Sequence, residues 1–142
     1  MERTVHQSRE LTQKEMELFL GEHSHGRLGL CVQGEPYVVP VAYIYSQGVL
    51  YFHTGRRGKK VEFIKRNNRV CFEVDEWQKG WASVICYGKI ELRDDFEAKK
   101  KGFELLTGKD LPEGQITSAS VYIGTIDVEG MTGRCSVDFK FC

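Results

Sequence analysis

The sequence has no excess of either charge. Lys and Arg number 20 and Asp and Glu number 20, for a formal net charge of zero. This argues against a general nucleic-acid binder, whose affinity comes from neutralising phosphates with surplus cations. No run approaches the ~18–20 apolar residues of a membrane span. The first residues, Met1-Glu2-Arg3-Thr4-Val5-His6, lack the apolar stretch of a signal peptide. Only three prolines interrupt 142 residues, and there is no internal repeat or low-complexity segment. The five cysteines, at 31, 71, 86, 135 and 142, are odd in number and form no CxxC, which points away from a structural zinc or a disulfide framework. Cys31, Cys71 and Cys86 lie in apolar runs and are expected as buried or half-buried reduced thiols. A Walker loop, GxGxxG, HExxH and a nucleophile elbow are all missing. What remains, with 41% hydrophobic residues, is one domain spanning 1–142. It is expected in the cytoplasm, with residues 1–10 as a loose arm.

Local patterns give the elements. Thr12-Gln13-Lys14-Glu15 is a capping box, and Met16, Phe19 and Leu20 fall on one face of the helix that follows. From Arg27 the period changes to two, with Leu28, Leu30 and Val32 alternating against Arg27, Gly29 and Cys31. Gln33-Gly34-Glu35-Pro36 is a turn, and Tyr37–Tyr45 is a second strand. Ser46-Gln47-Gly48 turns the chain into Val49–His53, a hairpin. Pro40 within the second strand marks an edge, a bulge or backbone turned toward a ligand. A short helix carries Val61, Phe63 and Ile64 and ends at Asn67-Asn68. Strands follow at Arg69–Asp75 and Ala82–Leu92, joined by a loop with Trp77 and Trp81. Gly88 suggests a bulge or a close backbone approach. Asp94-Asp95 caps a helix over Phe96–Leu106, with Lys99-Lys100-Lys101 facing solvent. Residues 107–117 read as a loop. Two last strands, Ser120–Glu129 and Met131–Phe141, hinge at Gly130. About seven antiparallel strands with three outer helices predict a closed or half-closed β-barrel.

The strongest chemical signal is His53-Thr54-Gly55-Arg56-Arg57-Gly58-Lys59-Lys60. Cations at a helix N-terminus oppose its positive dipole end, so the cluster makes sense if an anion binds there. Gly55 and Gly58 allow close backbone approach, and Thr54 adds a hydroxyl. The pattern fits a phosphate cradle; it also fits a solvated basic turn. His53 reads either as a satisfied strand-end residue or as a group facing a ligand. His23 and His25 have no third metal ligand near them in sequence, so no metal site is expected. Trp77 and Trp81 are either lids on the core or a platform for a planar ligand. Asp94-Asp95 is better explained as a cap than as an acid/base pair.

Taken in order, Val38-Val39-Pro40-Val41-Ala42-Tyr43-Ile44-Tyr45, Gly48–Thr54, Gly58-Lys59-Lys60 and Asn68–Phe72 resemble the FMN-binding split-barrel superfamily. This is the pyridoxamine 5′-phosphate oxidase-like group, and the likeness leans to its nitroimidazole-resistance branch over residues 25–135. The resemblance implies a six- to seven-stranded antiparallel split barrel, mainly β with peripheral helices, and a homodimer with two FMN sites at its interface. It implies that Val39, Pro40, Val41, Ala42 and Tyr43 pass under the isoalloxazine. His53 and Thr54 would lie beside flavin and phosphate, Gly58, Lys59 and Lys60 would hold the phosphate, and Ser83 and Val84 would contact flavin. His53 takes a catalytic role by the same likeness. The C-terminal Trp and Arg of the true oxidases have no match in Ser136–Cys142, which argues against vitamin B6 oxidation. The function implied is an FMN-dependent oxidoreductase passing electrons from NAD(P)H to a small-molecule acceptor. The alternatives are a flavin carrier or sensor without turnover, or a relative binding a deazaflavin or haem, the last with His53, His25 or His23 as axial ligand.

Overall fold

The computed structural model describes residues 7–141. In chain order the elements are β1 (Ser8–Glu10), α1 (Gln13–Glu22), β2 (His25–Val32), β3 (Glu35–Ala42), β4 (Ile44–Ser46), β5 (Val49–Thr54), α2 (Lys59–Arg66), β6 (Arg69–Glu76), β7 (Ala82–Arg93), α3 (Phe96–Thr107), α4 (Glu113–Ser118) and β8 (Tyr122–Ser136). All strand pairs are antiparallel. Their order is β3-β2-β6-β7-β8-β5-β4, with β1 added to β8.

That order has a geometric consequence. β3 and β4 lie at opposite ends of the path, yet only Tyr43 separates them in sequence. The sheet must therefore curl until its two edges meet, which makes a barrel. β3 and β4 form no ladder with one another, so the barrel is split along β3. Pro36 and Pro40 sit on this edge strand, where a missing N–H costs no ladder bond.

Tight turns set the register. Gln33-Gly34 and Gln47-Gly48 both take positive φ, 50° then 81° and 50° then 82°, the combination that matches the twist of a two-residue hairpin. Leu28, Leu50, Phe52, Phe72, Val74, Val84 and Ile126 fill the interior and are wholly buried, each side chain contributing about 1.5–3 kcal/mol. Gly88 lies opposite a bulge in β8, where Glu129 is the extra residue between the Tyr87–Gly130 and Gly88–Val128 pairs, and a Cβ on Gly88 would run into the Asp127 carbonyl oxygen. α2 packs one face on the sheet: Val61 and Ile64 are buried, and Phe63 packs on Tyr37 with ring centroids 5.3 Å apart.

Several expectations are corrected. Residues 8–10 of the supposed loose arm are β1, paired with Arg134–Ser136; residues 1–6 of that arm lie outside the described residues. The second strand breaks at Tyr43, whose hydroxyl donates to the Leu20 carbonyl at 2.7 Å. The two last strands are one, because the irregularity beside Gly130 is a single extra residue, Glu129, which bulges without breaking the ladder to β7. The 107–117 loop contains α4. Lys99 does not face solvent. It is 5% exposed, and its ammonium donates to the Thr117 and Ala119 carbonyls at 3.4 and 3.2 Å, tying α3 to the end of α4. Cys31 is exposed, Cys71 half-buried and Cys86 buried. Burial pushes the Cys86 thiol up to about 12, so this group is inert packing.

Candidate functional site

β5 delivers the basic segment to the split. Along this strand Leu50, Phe52 and Thr54 point inward and His53 points out. Thr54 is 5% exposed. His53 is exposed, and its imidazole makes no hydrogen bond among the described residues. Residues 55–58 then lead directly into α2, with Gly58 as its N-cap at φ 118°. No side chain caps this helix. The first amides of α2 are therefore open to an acceptor, and the helix dipole favours a negative one.

The cations around this end are unevenly used. Arg56 pairs with Asp94 at 3.1 Å and stacks over Tyr122 at 5.2 Å. Lys59 lies over the Tyr37 ring at 4.6 Å and the Phe63 ring at 5.5 Å. Among the described residues, Arg57, Lys59 and Lys60 have no carboxylate within ion-pair distance. Lys60 is half-buried, and desolvation holds its ammonium below the usual lysine value. A half-buried, unpaired ammonium is costly unless an anion joins it. Arg57 belongs to this cluster as much as the two lysines do; its place in the basic run was the signal for it.

β3 supplies the other wall. Val39, Val41 and Tyr43 face the core side, with Val41 and Tyr43 buried, whereas Pro40 and Ala42 are exposed on the outside. Any contact of Val41 or Tyr43 with a ligand is thus through the backbone. His25 is opposite Ala42 in the β2–β3 ladder, exposed, with Nδ1 2.9 Å from the Ser24 hydroxyl. Its place beside the β3 edge follows from register and was not visible in the sequence.

Ser83 and Val84 stand apart. They lie on β7, with β2 and β6 between them and β3. Ser83 is level with Arg134 near the end of β8, whereas His53 is level with Ile123 near its start. One protomer does not bring Ser83 to the His53–Lys60 cluster, and the Val84 side chain is wholly in the core. His23 is spent elsewhere, with Nδ1 2.7 Å from the Phe19 carbonyl and Nε2 2.9 Å from Glu76. Among the described residues no group of three or more His, Cys, Asp or Glu could hold a metal. None of their helices is long and apolar enough to cross a membrane.

A split antiparallel barrel with an anion-receptive rim defines the class. A family model described as pyridoxamine 5′-phosphate oxidase matches residues 12–134, and the chain belongs to that family. Among solved structures it is similar to a candidate 5-nitroimidazole antibiotic resistance protein from Bacteroides thetaiotaomicron. The TM-score is 0.80 at 25% identity, covering 90% of this chain and 87% of that one. It is also similar to an FAD-binding protein from Mesorhizobium loti, with a TM-score of 0.76 at 29% identity, covering 91% and 98%. An uncharacterized protein of Rhizobium meliloti is 27% identical over 127 residues, 78% of this chain and 83% of that protein. The split-barrel expectation and the family resemblance are borne out.

Proposed function

We propose that this protein binds FMN at the split of the barrel and serves as an oxidoreductase working as a homodimer. The observation that carries the reading is the uncapped N-terminus of α2 with Arg57, Lys59 and Lys60 unpaired around it. These residues fit a phosphate: open backbone amides and three cations lie at the start of α2, where Asp94 is engaged by Arg56, and Glu62 in the first turn pairs with none of the three. Charge-assisted bonds of this kind contribute roughly 1.5–3 kcal/mol each. Thr54 lies at the mouth of the same rim. The outer edge of β3, with Pro40 and Ala42 exposed, would give an apolar wall for a ring, and His53, exposed and without a hydrogen bond among the described residues, would face that ring.

The flavin, when bound, supplies the hydride and electron chemistry. The chain's residues do the rest. Lys59, Lys60 and Arg57 hold the phosphate, and Val39–Tyr43 present backbone and small side chains to the ring. His53 holds or releases a proton at the ring edge. NAD(P)H as donor and a small acceptor are the reactants this reading implies. The FAD-binding protein from Mesorhizobium loti supports a flavin; the choice of FMN rests on one cluster of cations at the start of α2, which suits one phosphate.

A second copy completes the site. The outer face of β2, β3, β6 and β7 carries an open groove of about 710 Å³ lined by Gly29, Cys31, Pro36, Val38, Cys71 and Tyr87. Val38 is 65% exposed there and Tyr87 43%. Docking of two such faces would cover this apolar surface and let Ser83 of one copy reach the flavin of the other.

The test is the absorbance spectrum of the purified protein, with any released chromophore identified by mass. Flavin bands and FMN are expected. A haem Soret band, or a colourless protein that refuses added FMN, would overturn the reading. Steady NAD(P)H oxidation with an added acceptor separates an oxidoreductase from a carrier. Sedimentation should give a dimer that Val38→Asp dissociates.

A further inference from the structure

Trp77 is the most exposed large apolar side chain among the described residues, at 71%. It is also one of the most firmly held. Its indole N–H donates to an Asp75 carboxylate oxygen at 2.6 Å. Asp75 in turn accepts from the Arg27 guanidinium, whose Nε also bonds Glu73 at 2.7 Å. Trp81 stacks on Trp77 with ring centroids 6.0 Å apart and planes 27° from parallel. The far end of the loop is pinned as well. The Trp81 amide donates to the Ser136 hydroxyl at 3.0 Å, and the Ser136 amide to the Trp81 carbonyl at 2.8 Å.

An exposed indole adds little to stability, yet here a hydrogen-bonded chain fixes its orientation. The chain begins at Arg27, which is opposite Pro40 in the β2–β3 ladder. It therefore runs from the β3 edge across the outer face to Trp77. A carboxylate on the indole N–H keeps the π-face electron-rich, and such a face stacks best with an electron-poor ring.

We propose that Trp77 is the platform on which the second reactant stacks, and that this reactant carries a planar, electron-poor aromatic ring. Both an oxidised nicotinamide and a nitroaromatic have that chemistry. The proposal rests on the flavin reading above, since it places the ring on the face that would hold the flavin.

Only two tryptophans occur in the chain, so two indole N–H signals report the loop in a ¹⁵N-labelled, FMN-loaded protein. The protein is titrated with oxidised nicotinamide mononucleotide and, separately, with 4-nitrobenzyl alcohol. The Trp77 signal should move with at least one probe. Trp77→Leu should raise that probe's Kd about tenfold, the size of one aromatic stacking contact. Trp77→Phe should restore part of the loss, and FMN affinity should stay unchanged in both variants. Movement with the nicotinamide alone identifies the donor, and with the nitroaromatic alone the acceptor; either supports the platform. An unmoved Trp77 signal with both probes, or an equal Kd in Trp77→Leu with FMN bound, overturns it. Failure of the wild-type protein to bind FMN sinks the flavin reading and this one with it.

Discussion

The N-termini of α1 and α2 are built in opposite ways. At α1 everything is satisfied. The Thr12 hydroxyl accepts from the Glu15 amide at 3.2 Å, and Glu15 reaches back to the Thr12 amide at 2.9 Å. Arg9 then closes on both Glu15 oxygens at 2.9 and 2.7 Å. α3 is similar, with Asp95 capping Ala98 and gripped by Arg93. At α2 no side chain caps the helix, the N-cap is a glycine, and Lys59 and Lys60 open the first turn, with Glu62 the acid that follows them. The fold uses the residues at α1 to hold itself together. It leaves those at α2 unspent, which is what a binding site looks like before its ligand arrives.

The sharpest way to break this contrast is Lys59→Ala with Lys60→Ala. Two charge-assisted bonds at roughly 1.5–3 kcal/mol each predict that FMN affinity falls about a hundredfold or more. Thermal stability should fall only slightly, because neither ammonium has an ion-pair partner among the described residues and the contacts of Lys59 with the Tyr37 and Phe63 rings contribute about 0.5–1 kcal/mol at an exposed site. Flavin fluorescence titration and a melting curve measure both. Unchanged affinity would return the segment to a solvated basic turn.

A smaller effect follows from pH. Desolvation lowers the Lys60 value from 10.5, so the ammonium is lost at a lower pH than from a free lysine. Only the charged form holds phosphate, and a bound phosphate opposes the loss. FMN affinity should therefore decline as pH rises through this range, by about tenfold for one such bond. Riboflavin, which has no phosphate, should show no matching decline. At α1 the corresponding substitution works on stability alone. Thr12→Ala should cost about 1 kcal/mol in a urea titration and leave FMN affinity untouched.

What could be read from the sequence was whatever depends on near neighbours. The capping box at Thr12, both glycine hairpins, the edge position of Pro40 and the close backbone approach at Gly88 are local patterns, and all are present. The exposure of Cys31 was available too: with Leu28, Leu30 and Val32 inward, period two puts Cys31 outside. Lys99 was not legible, because its acceptors at Thr117 and Ala119 lie at the end of a helix that Pro112 and Gly114 disguise as a loop. Nor was the continuity of β8 through Gly130, since a glycine beside a one-residue bulge and a glycine at a hinge look alike in sequence. For the site, the run from His53 to Lys60 was contiguous and so visible. That Arg56 is diverted to Asp94, that His25 lies beside Ala42, and that Ser83 is strands away depend on register and curvature, which no short window of sequence contains.

The smallest effect probes the satisfied end. The Arg9 hydrogen bonds, aided by the Thr12 amide, hold the Glu15 carboxyl at about 2. Its folded value is thus below its unfolded one, and the unfolded chain takes up the proton first. The stability this group contributes is complete above about 4.5 and is lost as pH falls toward about 2. Because Arg9 and Glu15 are near the surface, solvent screens the pair and the contribution is modest. Glu15→Gln should lower the melting temperature slightly at neutral pH and converge with the wild type near pH 2. FMN binding at neutral pH should be identical in the two proteins. A fall in FMN affinity in Glu15→Gln would mean that the two helix ends are coupled, and the separation of a structural rim from a binding rim would fail.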